Sequence, residues 1–460
     1  MTIPPSGSHS YAPIAVSSES TVVAEFNPDA AASDGYQSEA QLEASFIEQL
    51  VKQGYERLSI TNSADLVANL RRQLEALNDL TFSDAEWQRF FTTSIASATD
   101  GIVEKTARIQ SDHIQVLKRD DGTSKNIYLL DKDHIHRNRL QVLNQYEVPT
   151  TASGPKHATR YDVTLLVNGL PLVHVELKRR GVDIREAFNQ INRYARDSFW
   201  ADAGLFEYVQ LFVISNGTLT KYYSNTTRDA HIAEATTAKG SRRKTSNSYE
   251  FTSWWADAGN RRIADLMGFT KTFFAKHTIL AILTRYCVFD VDRKLLVMRP
   301  YQIVATERIL NRIATSTNAR QLGTVAAGGY VWHTTGSGKT LTSFKTAQLA
   351  SADPAIDKVL FVVDRKDLDY QTMREYERFE RGAVNSNTST RHLARQLADP
   401  SSRIIVTTIQ KLTRFVLANA GHSIYDGHVV IIFDECHRSQ FGDMHRAITK
   451  AFRRYHLFGF

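Results

Sequence analysis

Tyr330-Val331-Trp332-His333-Thr334-Thr335-Gly336-Ser337-Gly338-Lys339-Thr340 decides the fold class of the second half of the chain. An apolar strand (330–332) leads into a glycine-rich loop, and a helix is predicted over 341–349. Strand, loop and helix in that order form a phosphate-binding context, because the helix N-terminus and the loop amides point their hydrogens at an anion. Thr335, Gly336, Ser337 and Gly338 supply the cradle. Lys339 is placed to neutralise the β- and γ-phosphates, and the Thr340 hydroxyl to ligate Mg2+. The strict pattern asks for Gly at position 333, where this chain has His333; the core of the loop is intact.

Downstream, residues 359–363 (VLFVV), 404–407 (IIVT) and 429–433 (VVIIF) are continuous apolar runs separated by helical patterns. Such runs suit parallel strands covered on both faces, so this half reads as α/β. Asp434-Glu435-Cys436-His437 ends the last run, at a strand tip where ligands bind in open α/β sheets. Asp434 is expected to hold Mg2+, Glu435 to activate the attacking water, and His437 to link the nucleotide site to the rest of a motor. An exposed acidic turn is the alternative.

The first half carries a different constellation. Residues 161–167 (YDVTLLV) and 172–177 (LVHVEL) read as two strands around Asn168-Gly169-Leu170-Pro171. Glu176 and Lys178 are two apart and share a strand face. A three-residue loop, Asn168-Gly169-Leu170, pairs Val167 with Pro171 and sets Asp162 opposite Glu176 on that face; a two-residue Asn-Gly turn sends the carboxylates to opposite faces. The odd-length loop is the expectation. Two carboxylates and a lysine suit metal-dependent phosphodiester cleavage, with Asp162 and Glu176 as metal ligands and Lys178 steadying the attacking hydroxide or the developing charge. The following helix, from about Ile184 to Phe199, turns Gln190 and Tyr194 to one side at i, i+4. Glu43 lies on the first helix, where a solvated face is expected. A surface charge pair is the alternative reading of Glu176 and Lys178.

The 460 residues exceed one core, and 42% hydrophobic with 23% charged residues is a globular balance. A net charge of +7 leans toward a polyanionic partner. Two cysteines, Cys287 and Cys436, exclude a disulfide framework and a cysteine-based metal site. No apolar run spans a membrane and no secretory signal opens the chain, so a cytoplasmic location and no membrane partner are expected. Residues 1–37, rich in Ser, Ala, Pro and Gly, read as a disordered tail. Order is expected over 38–224 as the nuclease-like unit, then a loop or linker over 225–260 containing the basic run 240–244. A helical connector and ATP-binding lobe fill 261–460.

Asp162, Glu176-Leu177-Lys178 and Gln190-x-x-x-Tyr194 resemble the PD-(D/E)xK nucleases of the RecB-like type, with Tyr161 where that motif has Pro. That resemblance implies that an acidic residue such as Glu43 joins the site. Asp434-Glu435-Cys436-His437 looks like the DEAH-type box of superfamily 2 helicases, which implies a RecA-like lobe with a parallel sheet. Arg299-Pro300-Tyr301-Gln302 resembles that superfamily's adenine-reading motif, which points to Gln302 as the base contact. Thr407-Thr408-Ile409-Gln410 resembles its strand-end contact with the nucleic-acid backbone. Together the order closely resembles the restriction (R, HsdR) subunit of Type I restriction-modification enzymes over residues 38–460. The resemblance implies ATP and Mg2+ as cofactors, and double-stranded DNA with methylation (M) and specificity (S) subunits as partners. It implies DNA translocation and cleavage away from an unmethylated recognition sequence. It also implies that the second motor lobe, with its arginine finger, is not within these 460 residues; ATP binding without efficient hydrolysis is expected of them alone. A helicase-nuclease of DNA repair or a related restriction class is one alternative, and a non-catalytic DNA- or subunit-binding fragment another.

Overall fold

The structure, a computed structural model, describes residues 20–27, 37–148, 159–201, 203–226, 247–334, 336–363, 390–433 and 442–460. Helix α1 (Glu39–Lys52) starts at a Ser38–Gln41 capping box and buries Leu42, Phe46, Ile47 and Leu50, one stripe at helical spacing. Gly54, with φ +90°, ends the turn that follows it. Strand β1 (Glu56–Leu58) and helices α2 (Ser63–Asn78), α3 (Asp84–Phe90) and α4 (Ile102–Gln110) lead to a small hairpin, β2 (Ile114–Lys118) with β3 (Ser124–Tyr128). Then come β4 (Leu140–Val148), β5 (Thr159–Val167), β6 (Leu170–Leu177), α5 (Arg185–Asp197), β7 (Leu211–Ser215) and β8 (Thr220–Ser224).

These make a six-stranded mixed sheet ordered β1-β4-β5-β6-β7-β8. The β1/β4 and β6/β7 pairs are parallel and the other three antiparallel. Every residue of β6 is buried. The polar His174 and Glu176 are therefore interior side chains that need a reason to be there.

The Asn168-Gly169 turn corrects the expected three-residue loop. Val167 pairs with Leu170, so the turn has two residues, with φ +50° at Asn168 and +83° at Gly169. The register then shifts between Leu165 and Leu166, which makes Leu172 an extra residue on β6. Beyond that bulge Val163 faces Val175 and Thr164 faces His174. The bulge restores the face relation that the short turn alone would have broken, and Asp162 and Glu176 come together.

Helices α6 (Leu266–Phe273) and α7 (Lys276–Thr284) and hairpin β9 (Cys287–Phe289)–β10 (Leu295–Val297) follow. They pack into the same core as the mixed sheet, which continues to Ile303 and Val304. Two expectations change as a result. Residues 247–260 of the expected linker are built in: Trp255 is fully buried, and Ser253 pairs with Tyr222 of β8. The expected tail is anchored over 20–27, where Thr21 and Val22 are buried. Thr21 N–H donates to Glu307 and its carbonyl accepts from Thr278 Oγ1. Aromatic and β-branched residues inside polar-looking stretches carry both packings. The basic run 240–244 lies outside the described residues. A 3-10 turn, Leu205–Tyr208, lies just ahead of β7.

The last unit contains α8 (Pro300–Asn318), β11 (Gly329–Tyr330), α9 (Lys339–Ser351), β12 (Lys358–Val363), α10 (Thr390–Ala398), β13 (Ile404–Thr408), α11 (Ile409–Ala418), β14 (His428–Phe433), α12 (Gly442–Ala451) and β15 (Arg454–Gly459). Its five strands are all parallel, in the order β11-β15-β14-β12-β13. The apolar runs divide by the pleat. Val359, Phe361 and Val363 of β12 join one core while Leu360 and Val362 join the other, so both faces are covered. The strand expected over 330–332 is only two residues long. It is an edge strand with one neighbour, and Tyr330 and Trp332 are exposed. Among the described residues no helix is long and apolar enough to cross a membrane.

Candidate active and nucleotide sites

Asp162 is half-buried near the start of β5, and Glu176 is fully buried near the end of β6. The Leu177 N–H donates to Asp162 Oδ2 at 2.9 Å, which fixes the aspartate against the neighbouring strand. Lys178 Nζ lies 3.2 Å from Glu176 Oε1 and 3.1 Å from the Leu177 carbonyl oxygen. Burial raises the pKa of both carboxyls above the ordinary carboxylate range; for Asp162 the negative charge of Glu176 adds to this, while Lys178 opposes it for both. Glu176 Oε2 is buried without a hydrogen-bond partner.

His174, two residues before Glu176, is also fully buried, and its Nε2 lies 3.5 Å from Glu176 Oε2. Burial pushes its pKa down to about 4, so the imidazole is neutral and the contact is not an ion pair. Sequence reasoning passed over His174, although its spacing from Glu176 puts it on the same strand face.

Gln190 and Tyr194 do face one way on α5, and the Gln190 amide donates to the Tyr194 hydroxyl. That hydroxyl donates to the Arg160 carbonyl at 3.1 Å, which ties α5 to the strand carrying Asp162. Tyr161, standing where the resembled motif has Pro, is an anchor. Its ring meets Tyr194, Phe199 and Phe206, and its hydroxyl donates to Ser198 Oγ at 2.8 Å. Glu43 does not lie on a solvated face. Asn144 Nδ2 donates to its Oε1 at 2.6 Å and Gln145 Nε2 to its Oε2. A cavity of about 780 Å3 is bounded by Glu43, Arg57, Asn144, Gln145, Arg160 and Asp162, among others.

Among the described residues no three His, Cys, Asp or Glu side chains close a metal cage on their own. The open pair fits a hard divalent cation nonetheless. Mg2+ takes oxygen ligands, binds through one or two carboxylates and keeps several waters. Two adjacent buried carboxyls, one with an orphaned oxygen, are a charge arrangement that a cation relieves.

At the second site Gly336 and Gly338 have φ of +76° and +80°, which only glycine adopts freely, and Gly338 caps α9 so that its N-terminus opens on the loop. Ser337 N–H and Oγ donate to the Thr334 carbonyl. The His333 ring meets the edge of Tyr301 and the ring of Phe460, so the departure at that position is a packing contact. Gln302 is the residue expected to contact the base. It is buried, its amide donates to the carbonyls of Ser337 at 3.1 Å and Gly338 at 3.3 Å, and its oxygen accepts from Arg299 N–H. It braces the loop, as does Tyr301, whose hydroxyl donates to the Ser337 carbonyl at 2.7 Å. A cavity of about 740 Å3 lies beside the loop, between Arg299, Tyr301, Trp332, His333 and Ser337. Thr408 ends β13 and caps α11 by accepting from Lys411 N–H. Thr335, Asp434, Glu435, Cys436 and His437 lie outside the described residues.

Residues 36–231 match the family described as Type I restriction enzyme R protein N terminus, and residues 301–460 match the SWI2/SNF2 ATPase family. A Type I restriction enzyme endonuclease subunit of Escherichia coli (EcoprrI) is 49% identical over 311 residues, covering 67% of this chain and 93% of that protein. One from Staphylococcus saprophyticus (SsaAORF53P) is 43% identical over 433 residues, covering 92% of this chain and 42% of that protein. The chain thus spans less than half the length of the staphylococcal relatives it matches.

Proposed function

The chain belongs to the family of Type I restriction enzyme endonuclease subunits, and from that premise we propose that it serves as the ATP-driven translocase and endonuclease subunit of such an enzyme. In this reading it works in the cytoplasm with methylation and specificity subunits and cuts unmethylated double-stranded DNA away from the recognition sequence. The observation that carries the proposal is the meeting of Asp162, Glu176 and Lys178 at adjacent strand ends. It lies on the same chain as a glycine-rich loop opening a helix beside a parallel sheet.

The first unit is read as a PD-(D/E)xK nuclease and the last as a RecA-like superfamily 2 lobe. Asp162 and Glu176 would hold Mg2+, with Glu43 beside Asp162 on the same cavity. When bound, the cation polarises the scissile phosphate and lowers the pKa of a water. The Leu177 N–H keeps the Asp162 carboxylate in place. Lys178 Nζ presents positive charge where negative charge develops on the phosphate in the transition state. Gln190 and Tyr194 brace the strand through the Arg160 carbonyl. Arg57 and Arg160 line the cavity and offer cations for a DNA backbone. In the motor lobe, Thr335 to Gly338 cradle the ATP phosphates, Lys339 neutralises them, and Thr340 with Asp434 holds Mg2+. Glu435 then activates the attacking water, His437 relays the state of the nucleotide, and Gln302 fixes the loop.

The test is a complex assembled with methylation and specificity subunits. Asp162→Ala and Lys178→Ala are expected to abolish cleavage of unmethylated DNA while ATP hydrolysis continues. Lys339→Ala is expected to abolish hydrolysis and, with it, cleavage. Cleavage that survives either nuclease-site change sinks the assignment.

A further inference from the structure

Strand β4 is broken at one residue. Asn144 pairs with Val163 and Tyr146 with Tyr161, but Gln145, which stands across from Asp162, drops out of the ladder. Its backbone has φ +55°. The other described non-glycine residues with positive φ lie in turns, caps or loops, so Gln145 is the one inside a strand. A left-handed glutamine is an uncommon backbone state, and it persists only where its surroundings hold it.

The bend has a specific consequence. Neighbouring residues of a strand point to opposite faces. Here the amides of two neighbours, Asn144 and Gln145, reach the same carboxylate, one on each oxygen of Glu43. All three line the cavity that holds Asp162. Gln145 Oε1 remains buried without a partner. An unpaired acceptor beside two cavity-lining carboxylates suits the water of a hydrated cation.

We infer that Asn144 and Gln145 are positioning residues, and that the left-handed break in β4 brings both amides onto Glu43 so that its carboxylate faces Asp162 as a further oxygen donor for a divalent cation. The inference rests on the nuclease reading above. The amides act through Glu43, and Gln145 Oε1 offers an acceptor to the cation's water.

The experiment measures Mn2+ affinity by titration calorimetry on the whole chain, together with its melting temperature in chelator. Gln145→Gly removes the amide and relieves the backbone, so it is expected to melt at the wild-type temperature or higher while binding Mn2+ roughly 10-fold more weakly. Asn144→Ala is expected to weaken Mn2+ binding to a similar degree. A purely structural role for the bend predicts the reverse for Gln145→Gly, a lower melting temperature with unchanged affinity, and that result overturns the inference. Wild-type affinity in both variants overturns it as well. If Asp162→Ala binds Mn2+ as tightly as wild type, the nuclease reading fails and takes the inference with it. A loss confined to the clamp variants and Asp162→Ala supports both.

Discussion

Asp162 is held where a carboxylate is costly. Burial and the neighbouring Glu176 both oppose its negative charge, and Lys178 offsets only part of this. Groups kept in such positions trade stability for function. Asp162→Asn keeps an oxygen to accept the Leu177 N–H and adds an amide that can donate to Glu176. It is expected to raise the melting temperature in chelator by about 2–4 °C, on the order of 1 kcal/mol, while cleavage by the assembled complex is lost. A melting temperature at or below wild type would show that the site carries no such strain. Asp162, Glu176 and Lys178 were legible in the sequence because alternation assigns a strand face to each. Asn144 and Gln145 were not. A left-handed residue inside a strand costs about 1–2 kcal/mol, and glutamine, unlike glycine or asparagine, gives no compositional warning of one. The same blindness put Glu43 on a solvated face, since its partners lie 101 and 102 residues away.

The β5–β6 hairpin makes the site, and it does so with two compensating features. A two-residue turn with left-handed backbone at both positions matches the twist of the strands. The bulge at Leu172 then shifts the register by one. Either feature alone would turn Asp162 and Glu176 to opposite faces. The sequence pointed to the correct final register by the wrong route, a three-residue loop. Residues 170–173 are all apolar, and no side chain there marks which one bulges. The turn itself is tightly specified. Asn168 Nδ2 donates to Leu129 and Asn138, and a Cβ on Gly169 would stand 2.7 Å from Leu70 Cα. Gly169→Ala therefore meets both a backbone clash with α2 and a left-handed φ. It is expected to cost roughly 2–3 kcal/mol, read as a lower urea midpoint at unchanged slope. A shift under about 0.5 kcal/mol, the usual scale of neutral surface changes, would mean that α2 yields and that the turn does not fix the register.

Across the whole molecule, chemistry and folding divide the chain at different places. Motifs and composition suggest a nuclease ending near residue 224, a linker, and a motor. The packing does not follow that division. Phe274 of the connector meets the ring of Phe46 on α1, and its carbonyl accepts from the buried Tyr55 hydroxyl. Tyr222 of β8 packs on Phe273 and donates to the Met298 carbonyl, and Ser224 donates to the Leu295 carbonyl. Helix α9, which starts at the phosphate loop, presents Phe344, Ala347 and Ala350 to the parallel sheet and Leu341 and Leu349 to the nuclease-side core. The two cores thus meet along one helix. Long-range packing of this kind leaves no local periodicity, so the motifs mark the candidate sites while the boundary stayed hidden. The boundary makes a sharp prediction about pieces of the chain. Residues 38–224 alone would expose Phe46, Tyr55 and Tyr222, which pack on residues beyond 224, each worth about 1.5–3 kcal/mol when buried. That sum consumes most of the roughly 5–15 kcal/mol that holds a domain together. The 38–224 piece is expected to be aggregated or molten, with no cooperative thermal transition by circular dichroism. Residues 20–298, which restore α6, α7 and the β9–β10 hairpin, are expected to melt cooperatively. A cooperative transition in the shorter piece would show that the connector is an accessory to the nuclease fold and not part of its core.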